Sequence, residues 1–296
     1  MEKFKIGYFA DGPWSHETFN LLILDETISI EFIVPRTDTK DHTLKNLALE
    51  NGIDYLYGVK INSPEFIEKA SSYNCDLFVS MSFNQIFRKE IINIPHLKTI
   101  NCHAGKLPFY RGRNILNWAL INDENEFGIT VHYIDEGIDT GDIILQRLYP
   151  ITDNDNYSTL LEVAFKECAA VLNESIKLIQ LGKVKRIKQS EIHSVGFYCG
   201  QRKDGDEIID WNQTSREIFN FVRSLCEPGP IATTFCEGEE IKINTVKLVK
   251  NAPIYKGIVG QLLSKTKDGF LIKTSDSFIE IIEFYSKLKV GKRLGI

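Results

Sequence analysis

The sequence predicts an α/β protein: a doubly wound, mostly parallel sheet followed by a smaller antiparallel β domain. Over about the first two-thirds of the 296 residues, short apolar runs alternate with stretches of helical periodicity. After residue 195 the segments become short and alternating, with turn-forming residues between them. We therefore expect a first domain over residues 1–190, a linker over 191–210 and a small domain over 211–296.

The first domain alternates strands with helices from its start. Strands are predicted at 4–10, 28–34, 76–81, 97–100, 128–134 and 143–148, each an apolar run. Helices are predicted at 15–24, 43–49 and 157–181, and another begins at Ser63 and Pro64. Serine is a good N-cap, proline fits the first helical turn, and Gly182 is placed to end the long helix. This order is typical of a Rossmann-like sheet, in which ligands bind beyond the carboxyl ends of the strands.

The last domain has a different pattern. One helix is predicted at 214–224, where Thr214 and Glu217 have the spacing of a capping box. Strands are predicted at 241–249, 257–263, 270–274 and 278–284. Such short strands separated by turns indicate a small antiparallel barrel or sandwich, which we expect to be OB-like.

Composition limits the class of protein. The formal net charge is -5, whereas a protein that grips a long nucleic acid usually carries a basic excess, so nucleic acid is disfavoured as a partner. No apolar run approaches the ~18 residues of a membrane span, and the first residues lack the apolar core of a signal peptide. No two of the six cysteines have C-x-x-C spacing. We expect a cytoplasmic protein with reduced thiols, no metal and no membrane partner.

A candidate site follows the predicted strand at 97–100. Asn101 and His103 lie two residues apart, so in a strand their side chains point to the same face. A carboxamide beside an imidazole can bind a carbonyl oxygen and move a proton. Asp139, in the segment Asp-Thr-Gly-Asp, is the candidate third group that orients the histidine. The other histidines have no comparable neighbours, and His132 is expected to be a packed side chain.

Two segments carry a family resemblance. NCHAGKLPFYRGRNILNWAL and GITVHYIDEGIDTGDIILQ resemble the N10-formyltetrahydrofolate-dependent formyltransferases, whose pattern is N-x-H-x-S-L-L-P-x-x-R-G followed by an Asp-containing segment. The matching residues are Asn101, His103, Pro108, Arg111, Gly112, Asp139 and Gly141. VRSLCEPGPIATTFCEGEEIKI also resembles the start of the family's C-terminal β domain, so the resemblance covers nearly the whole chain.

The resemblance implies roles for the three central residues. Asn101 would donate an N–H to the oxyanion that forms at the formyl carbon. His103 would assist that oxyanion and take part in proton transfer, and Asp139 would orient His103 and accept the proton of the attacking ammonium. N10-formyltetrahydrofolate would be the co-substrate, without a metal.

The resemblance also implies two regions for folate binding. The pterin pocket would have an apolar wall at Phe83, Ile86 and Phe87, although plain core packing explains these residues equally well. The second region is the loop that contains Asp135, Gly137 and Asp139.

The acceptor is predicted from one departure from the family pattern. Gly105 and Lys106 replace the usual Ser-Leu, which is similar to the branch that formylates nucleotide-linked amino sugars for surface polysaccharides such as lipopolysaccharide. We expect a 4-amino-4,6-dideoxy sugar as acceptor and a homodimer, the commonest assembly of soluble enzymes. The candidate acceptor-binding residues are Asp11, Trp14, Lys106, Arg111 and Arg113. Trp14 would stack on a base or sugar or only pack its helix, and Arg111 would meet a phosphate or only hold its loop.

Four other functions remain as alternatives. A methionyl-tRNA formyltransferase has the same two-domain plan but needs a basic face for tRNA phosphates, whereas residues 190–296 are nearly balanced in charge. A formyl-folate hydrolase would use the same site with water as the acceptor. A single-domain purine-pathway formyltransferase leaves the last third of the chain unexplained, and the intact catalytic pattern argues against a non-catalytic sensor of nucleotide sugars.

Overall fold

A computed structural model describes residues 2–295 of the chain. Its strands are β1 (Phe4–Ala10), β2 (Ile28–Val34), β3 (Asp54–Tyr55), β4 (Leu77–Met81), β5 (Thr99–His103), β6 (Arg111–Gly112), β7 (Glu126–Tyr133), β8 (Ile143–Pro150), β9 (Tyr198–Cys199), β10 (Ala232–Cys236), β11 (Glu239–Leu248), β12 (Leu262–Lys265), β13 (Phe270–Lys273) and β14 (Phe278–Tyr285). Its helices are α1 (Pro13–Ile23), α2 (Thr43–Glu50), α3 (Pro64–Ser72), α4 (Lys89–Ile92), α5 (Ile115–Ile121), α6 (Tyr157–Gln180), α7 (Gln189–Ile192) and α8 (Ser215–Leu225).

The larger sheet has seven strands in the order β3-β2-β1-β4-β5-β7-β8. The neighbours from β3 to β5 run parallel, and β7 runs antiparallel to β5. The chain moves outward from β1 to β3 and then returns to β4 on the other side of β1. The switch point of this doubly wound sheet therefore lies between β1 and β4, and the carboxyl ends there are where ligands bind in such folds. The predicted fold class is confirmed.

The centre of this sheet is buried because its strands are almost wholly apolar. All five residues of β4 are buried, as expected for a strand covered by helices on both faces. Phe9 makes edge contacts with Phe32 and Phe78 at centroid distances of 5.6 and 5.2 Å, so aromatic rings fill much of one face. The rigid centre fixes the positions at which the strands end.

The second sheet is antiparallel, with five strands in the order β10-β11-β14-β13-β12. Helix α8 buries Ile218 and Val222 in the core of this sheet. The predicted capping box is present: Thr214 Oγ1 accepts a hydrogen bond from the N–H of Glu217, and the Glu217 carboxylate accepts one from the N–H of Thr214. The predicted antiparallel sheet is confirmed. The strand expected at 257–263 is displaced, however, because Gly260 has φ 77° and β12 begins only at Leu262.

Chain contacts divide the molecule into two compact units. The first contains the residues up to Gly112 together with Phe127–Tyr149 and Glu162–Tyr198. The second contains Arg113–Glu126, Pro150–Leu161 and the residues from Cys199 onward. The domain boundaries expected from the sequence, at 190 and 211, stay predictions.

Residues 2–295 contain neither a helix suited to span a membrane nor a cluster suited to bind a metal. None of the helices between residues 2 and 295 is both long and apolar enough to cross a membrane. Within the same range, no group of three or more His, Cys, Asp or Glu side chains is arranged to hold a metal ion.

Candidate active site

Strand β5 carries Asn101 and His103 on one face, as alternation requires. Asn101 is half-buried, and His103 is buried, with 8% of its surface exposed. On one side Asn101 is paired with Ser80 of the parallel strand β4. The two side chains therefore lie near the carboxyl end of β5, on a rigid element with buried neighbours.

Asp139 reaches this face from the loop between β7 and β8. Its Oδ2 lies 3.7 Å from Nδ1 of His103 and accepts a hydrogen bond of 2.9 Å from the N–H of Gly112. The backbone of Asp139 is left-handed, with φ 54°. Nearby, a Cβ on Gly141 would lie 1.8 Å from the carbonyl oxygen of Tyr133, so only glycine fits there. The structure thus brings together the three residues predicted from the sequence.

A fourth residue, His132, joins the site. It lies directly opposite Asn101 in the antiparallel pairing of β5 with β7, so both side chains point to one face. Its Nε2 is 3.4 Å from Nδ2 of Asn101 and 3.5 Å from Oδ1 of Asp139. His132 is packed, as expected, with 2% of its surface exposed, but it is packed against two of the predicted catalytic residues.

Backbone carbonyls orient both imidazoles. Nε2 of His103 lies 2.7 Å from the carbonyl oxygen of Tyr110, and Nδ1 of His132 lies 2.8 Å from that of Tyr133. A carbonyl oxygen only accepts, so each of these ring nitrogens must carry the proton of that bond. This leaves Nδ1 of His103 facing Asp139, and Nε2 of His132 facing Asn101 and Asp139.

Asp139 is held in its charged form. Burial raises the pKa of its carboxyl group, but the charge of His103, the hydrogen bond and charge of His132, and the Gly112 N–H together lower it further. The net effect places the pKa of Asp139 well below its usual range. The carboxylate is therefore ionised at neutral pH and faces two groups that can carry a positive charge.

Gly105 allows His103 to take this position. A Cβ at residue 105 would lie 2.4 Å from Nε2 of His103 and 2.6 Å from the carbonyl oxygen of Tyr110. Both atoms belong to the bond that orients the imidazole. The departure from the family's serine therefore places a glycine directly against the candidate catalytic histidine.

This arrangement is suited to acyl transfer. The amide of Asn101 can donate to a carbonyl oxygen that gains negative charge. Nδ1 of His103 and the ionised carboxylate of Asp139, which face each other at 3.7 Å, can accept a proton from an attacking group. The amide donor and the groups that accept a proton therefore lie together at one face of β5.

Two family models match the chain. Residues 39–174 match the formyl transferase model, and residues 202–290 match the formyl transferase C-terminal domain model. The chain belongs to the formyl transferase family.

Curated relatives of this formyltransferase carry the name methionyl-tRNA formyltransferase. That of Clostridioides difficile (strain 630) is 34% identical over 281 residues, which span 92% of this chain and 89% of that protein. That of Fusobacterium nucleatum subsp. nucleatum is 35% identical over 240 residues, which span 80% of this chain and 76% of that protein.

Solved structures similar to the formyltransferase include sugar enzymes. WlaRD, a sugar 3N-formyl transferase solved in the presence of dTDP and 5-N-formyl-THF, has a TM-score of 0.71 and 25% identity over 97% of this chain and 100% of that one. The N-formyltransferase from Helicobacter canadensis, in complex with folinic acid and dTDP-3-aminofucose, has a TM-score of 0.70 and 23% identity over 96% and 100%. The second likeness shows the fold alone.

The three residues of the predicted pterin wall have different surroundings in the formyltransferase. Phe87 is buried, and its ring centroid lies 5.0 Å from that of Phe9. Phe83 is half-buried and packs against the same ring at 5.6 Å. Ile86 is 66% exposed. Phe83 and Phe87 thus have contacts typical of core residues, and a role of the three residues in folate binding stays a prediction.

The second predicted folate segment is an ordered turn. Oδ1 of Asp135 accepts hydrogen bonds from the N–H of Gly137 at 3.1 Å and from the hydroxyl of Thr140 at 2.5 Å. The turn places Asp139 between Gly137 and Gly141. Its folate contacts stay a prediction, whereas its effect on the position of Asp139 is visible.

Two predicted acceptor-binding residues, Asp11 and Trp14, lie just after β1. Trp14 is half-buried and packs edge-on against Phe165 of α6, at a centroid distance of 4.8 Å. This contact is what the simple packing interpretation of Trp14 requires. Asp11 is half-buried, and burial raises the pKa of its carboxyl group, against smaller lowering effects of Thr39 and Arg36.

The three predicted basic residues differ in their settings. Lys106 is half-buried, and its backbone packs against Gly128. Arg113 is exposed, and one of its guanidinium nitrogens lies 3.2 Å from Oε1 of Gln201. Arg111 instead donates two hydrogen bonds to the buried Gln189, which favours the loop-holding interpretation of that arginine.

Proposed function

We propose that this formyltransferase transfers a formyl group from N10-formyltetrahydrofolate to the amine of a nucleotide-linked amino sugar used for surface glycans. The grouping of Asn101, His103 and Asp139 on one strand face carries the formyl-transfer part of the proposal. The acceptor part is supported by the likeness to a sugar 3N-formyl transferase and by the charge of the C-terminal third.

In the proposed reaction, the amine nitrogen attacks the formyl carbon and forms a new C–N bond, and the bond from that carbon to N10 then breaks. The amine loses one proton, and N10 gains one. Asn101 donates its amide N–H to the oxygen that becomes negative. His103 and the ionised Asp139 accept the proton of the ammonium and return it toward N10. Nε2 of His132, at 3.4 Å from Nδ2 of Asn101 and 3.5 Å from Oδ1 of Asp139, packs against both residues and helps to fix their side chains.

Charge separates the sugar acceptor from the tRNA alternative. A tRNA-binding surface must neutralise many phosphates with lysine and arginine. Residues 190–296 contain acids and bases in nearly equal numbers, and the chain has a net charge of -5. A nucleotide-linked sugar needs only one or two such contacts, for which this chain has enough basic residues.

Methionyl-tRNA formyl transfer is the second candidate function. The observation that favours it is the 34% identity with curated methionyl-tRNA formyltransferases over nearly the full length of both chains. Both candidates use the same donor and the same three residues, so only the acceptor distinguishes them.

The deciding experiment supplies N10-formyltetrahydrofolate together with one acceptor at a time. The acceptors are nucleotide-linked 3-amino and 4-amino dideoxy sugars, methionyl-tRNA, and water alone. We expect formamide product with at least one amino sugar. Asn101→Ala should lower kcat about 10²- to 10³-fold because one oxyanion donor is lost, whereas the exposed control Asn212→Ala should leave kcat unchanged. Formylated tRNA as the sole product overturns the sugar proposal, and formate release in water alone identifies a hydrolase.

A further inference from the structure

Gln189, the first residue of α7, is bonded at every position of its side-chain amide. Its Nε2 donates to the carbonyl oxygens of Asp139 at 2.8 Å and Gly141 at 2.9 Å. Its Oε1 accepts from Nε of Arg111 at 3.1 Å and from a terminal nitrogen of the same guanidinium at 2.6 Å. A primary amide has two N–H donors and two acceptor lone pairs, so all four are used. Gln189 is 4% exposed, so water does not replace these bonds.

These bonds complete a closed set of contacts around Asp139. Gly112, the neighbour of Arg111, donates its N–H to the Asp139 carboxylate. The N–H of Gly112 thus fixes the carboxylate of Asp139, and the side chain of Gln189 fixes its backbone. Arg111 in turn fixes Gln189. Asp139 adopts a left-handed backbone with φ 54°, a conformation that aspartate enters more readily than most residues, and these contacts restrain it there.

Arg111 is itself fixed by the chain that follows α7. Its backbone N–H donates to the carbonyl oxygen of Phe197, and its guanidinium lies 5.4 Å from the ring centre of Tyr198. A Cβ on Gly196 would lie 2.7 Å from the guanidinium carbon. The residues from 189 to 198 lie between the two family matches, which end at 174 and resume at 202.

We infer that Gln189 is a positioning residue for Asp139. By fixing the backbone of Asp139, Gln189 sets the direction in which the carboxylate faces His103 and His132. The inference rests on the proposed function, because Asp139 acts on the proton in that reaction. An amide is required at residue 189, since the side chain must donate to two carbonyl oxygens and accept from a guanidinium at once. A glutamate of the same size would keep the contact with Arg111. It would, however, place a negatively charged oxygen, with no N–H to donate, against the two carbonyl oxygens.

The test compares Gln189→Glu and Gln189→Met with the wild type. We expect kcat to fall about 10- to 100-fold in both variants, because small displacements of a catalytic group have effects of this size. The KM for N10-formyltetrahydrofolate should change less than kcat does, because Gln189 bonds the backbone of Asp139 and Gly141 and not the other predicted folate residues of the loop, Asp135 and Gly137. In an Asp139→Asn background, Gln189→Glu should lower kcat no further, because the residue acts through the carboxylate that is already absent.

The matched control is Asn117→Asp, since Asn117 is also a buried amide, 3% exposed, that donates to a backbone carbonyl, that of Ser224. It should lower the melting temperature and leave kcat of the folded protein unchanged.

Amide hydrogen exchange of the 135–142 peptide supplies a readout without an acceptor, and Gln189→Glu should accelerate it. Unchanged exchange, a wild-type kcat, or an equal loss of kcat in the Asp139→Asn background each overturns the positioning role. A wild-type enzyme that formylates none of the acceptors contradicts the proposed function, and the exchange measurement still decides the role of Gln189.

Discussion

At the scale of single residues, Asp139 shows how the site keeps a buried charge. Its side chain is 13% exposed, and burial alone would raise the pKa of the carboxyl group. Two imidazoles and one backbone N–H reverse that effect and lower the pKa below its usual range. A carboxylate kept charged beside His103 is what a proton relay at neutral pH requires.

The lowered pKa of Asp139 predicts a pH-dependent contribution to stability. A carboxyl group whose folded-state pKa is below its unfolded value of about 3.9 stabilises the fold above that pH and loses this effect as the pH falls through the folded-state pKa. Asp139→Asn should therefore lower the free energy of unfolding by at least about 1 kcal/mol at pH 7, since each unit of pKa is worth about 1.4 kcal/mol. Urea unfolding at pH 7 and at pH 3 measures the difference.

The difference between wild type and variant should shrink on acidification. A difference that is the same at both pH values contradicts the prediction. A parallel series with Asp142→Asn, in the same loop, checks that the effect belongs to residue 139.

At the scale of elements, the local sequence of helix α8 specifies where the helix begins. Thr214 and Glu217 exchange hydrogen bonds between side chain and backbone, and each satisfies an N–H that the helix leaves unpaired. Behind this cap, Ile218 and Val222 are fully buried. The cap and the apolar face together fix where the helix begins and which side packs on the small sheet.

Removal of the cap should destabilise the protein without an effect on the chemistry. Thr214→Ala should lower the free energy of unfolding by about 1 kcal/mol, the usual cost of losing an N-cap hydroxyl. Thr214→Ser keeps a hydroxyl at the same place and should stay within a few tenths of a kcal/mol of wild type. Urea midpoints of the three proteins test this, and equal losses for Ala and Ser would show that the methyl group, rather than the cap, matters.

Local pattern and long-range pairing account for what the sequence predicted and what it missed. The shared face of Asn101 and His103 follows from strand alternation alone, and the Thr214 box follows from a three-residue spacing. His132 was expected only to be packed, and its contact with the site was not predicted, because its place opposite Asn101 depends on the register between β5 and β7, which lies outside local patterns. Gln189 lies in a stretch with the composition of a connector, and its contacts are 48 to 78 residues away along the chain.

At the scale of the whole molecule, the charge distribution bears on the choice between the two proposed acceptors. The formal net charge is -5, and acids and bases are nearly balanced in residues 190–296. Salt weakens binding in proportion to the number of phosphates that a protein neutralises. The response to salt therefore measures the size of the charged acceptor that the enzyme binds.

We expect a weak response to salt. Between 50 and 200 mM KCl, the KM for a nucleotide-linked amino sugar should rise less than about tenfold, because only one or two phosphates are contacted. Six to ten phosphate contacts, as on tRNA, would weaken binding about 10³- to 10⁵-fold over the same range. Steady-state kinetics at four salt concentrations, with the KM for N10-formyltetrahydrofolate as internal reference, gives the slope, and a slope in the tRNA range refutes the small acceptor.

The glycine at residue 105 also constrains how this sequence can diverge. The family pattern has serine there, yet in this chain a Cβ at 105 would press on both His103 and the Tyr110 carbonyl. A single exchange of glycine for serine would thus displace the imidazole unless the segment up to Tyr110 had already shifted. The side chain that fits at residue 105 therefore depends on the conformation of the loop that follows it. A substitution taken from a relative at position 105 should therefore carry over only together with the loop up to Tyr110.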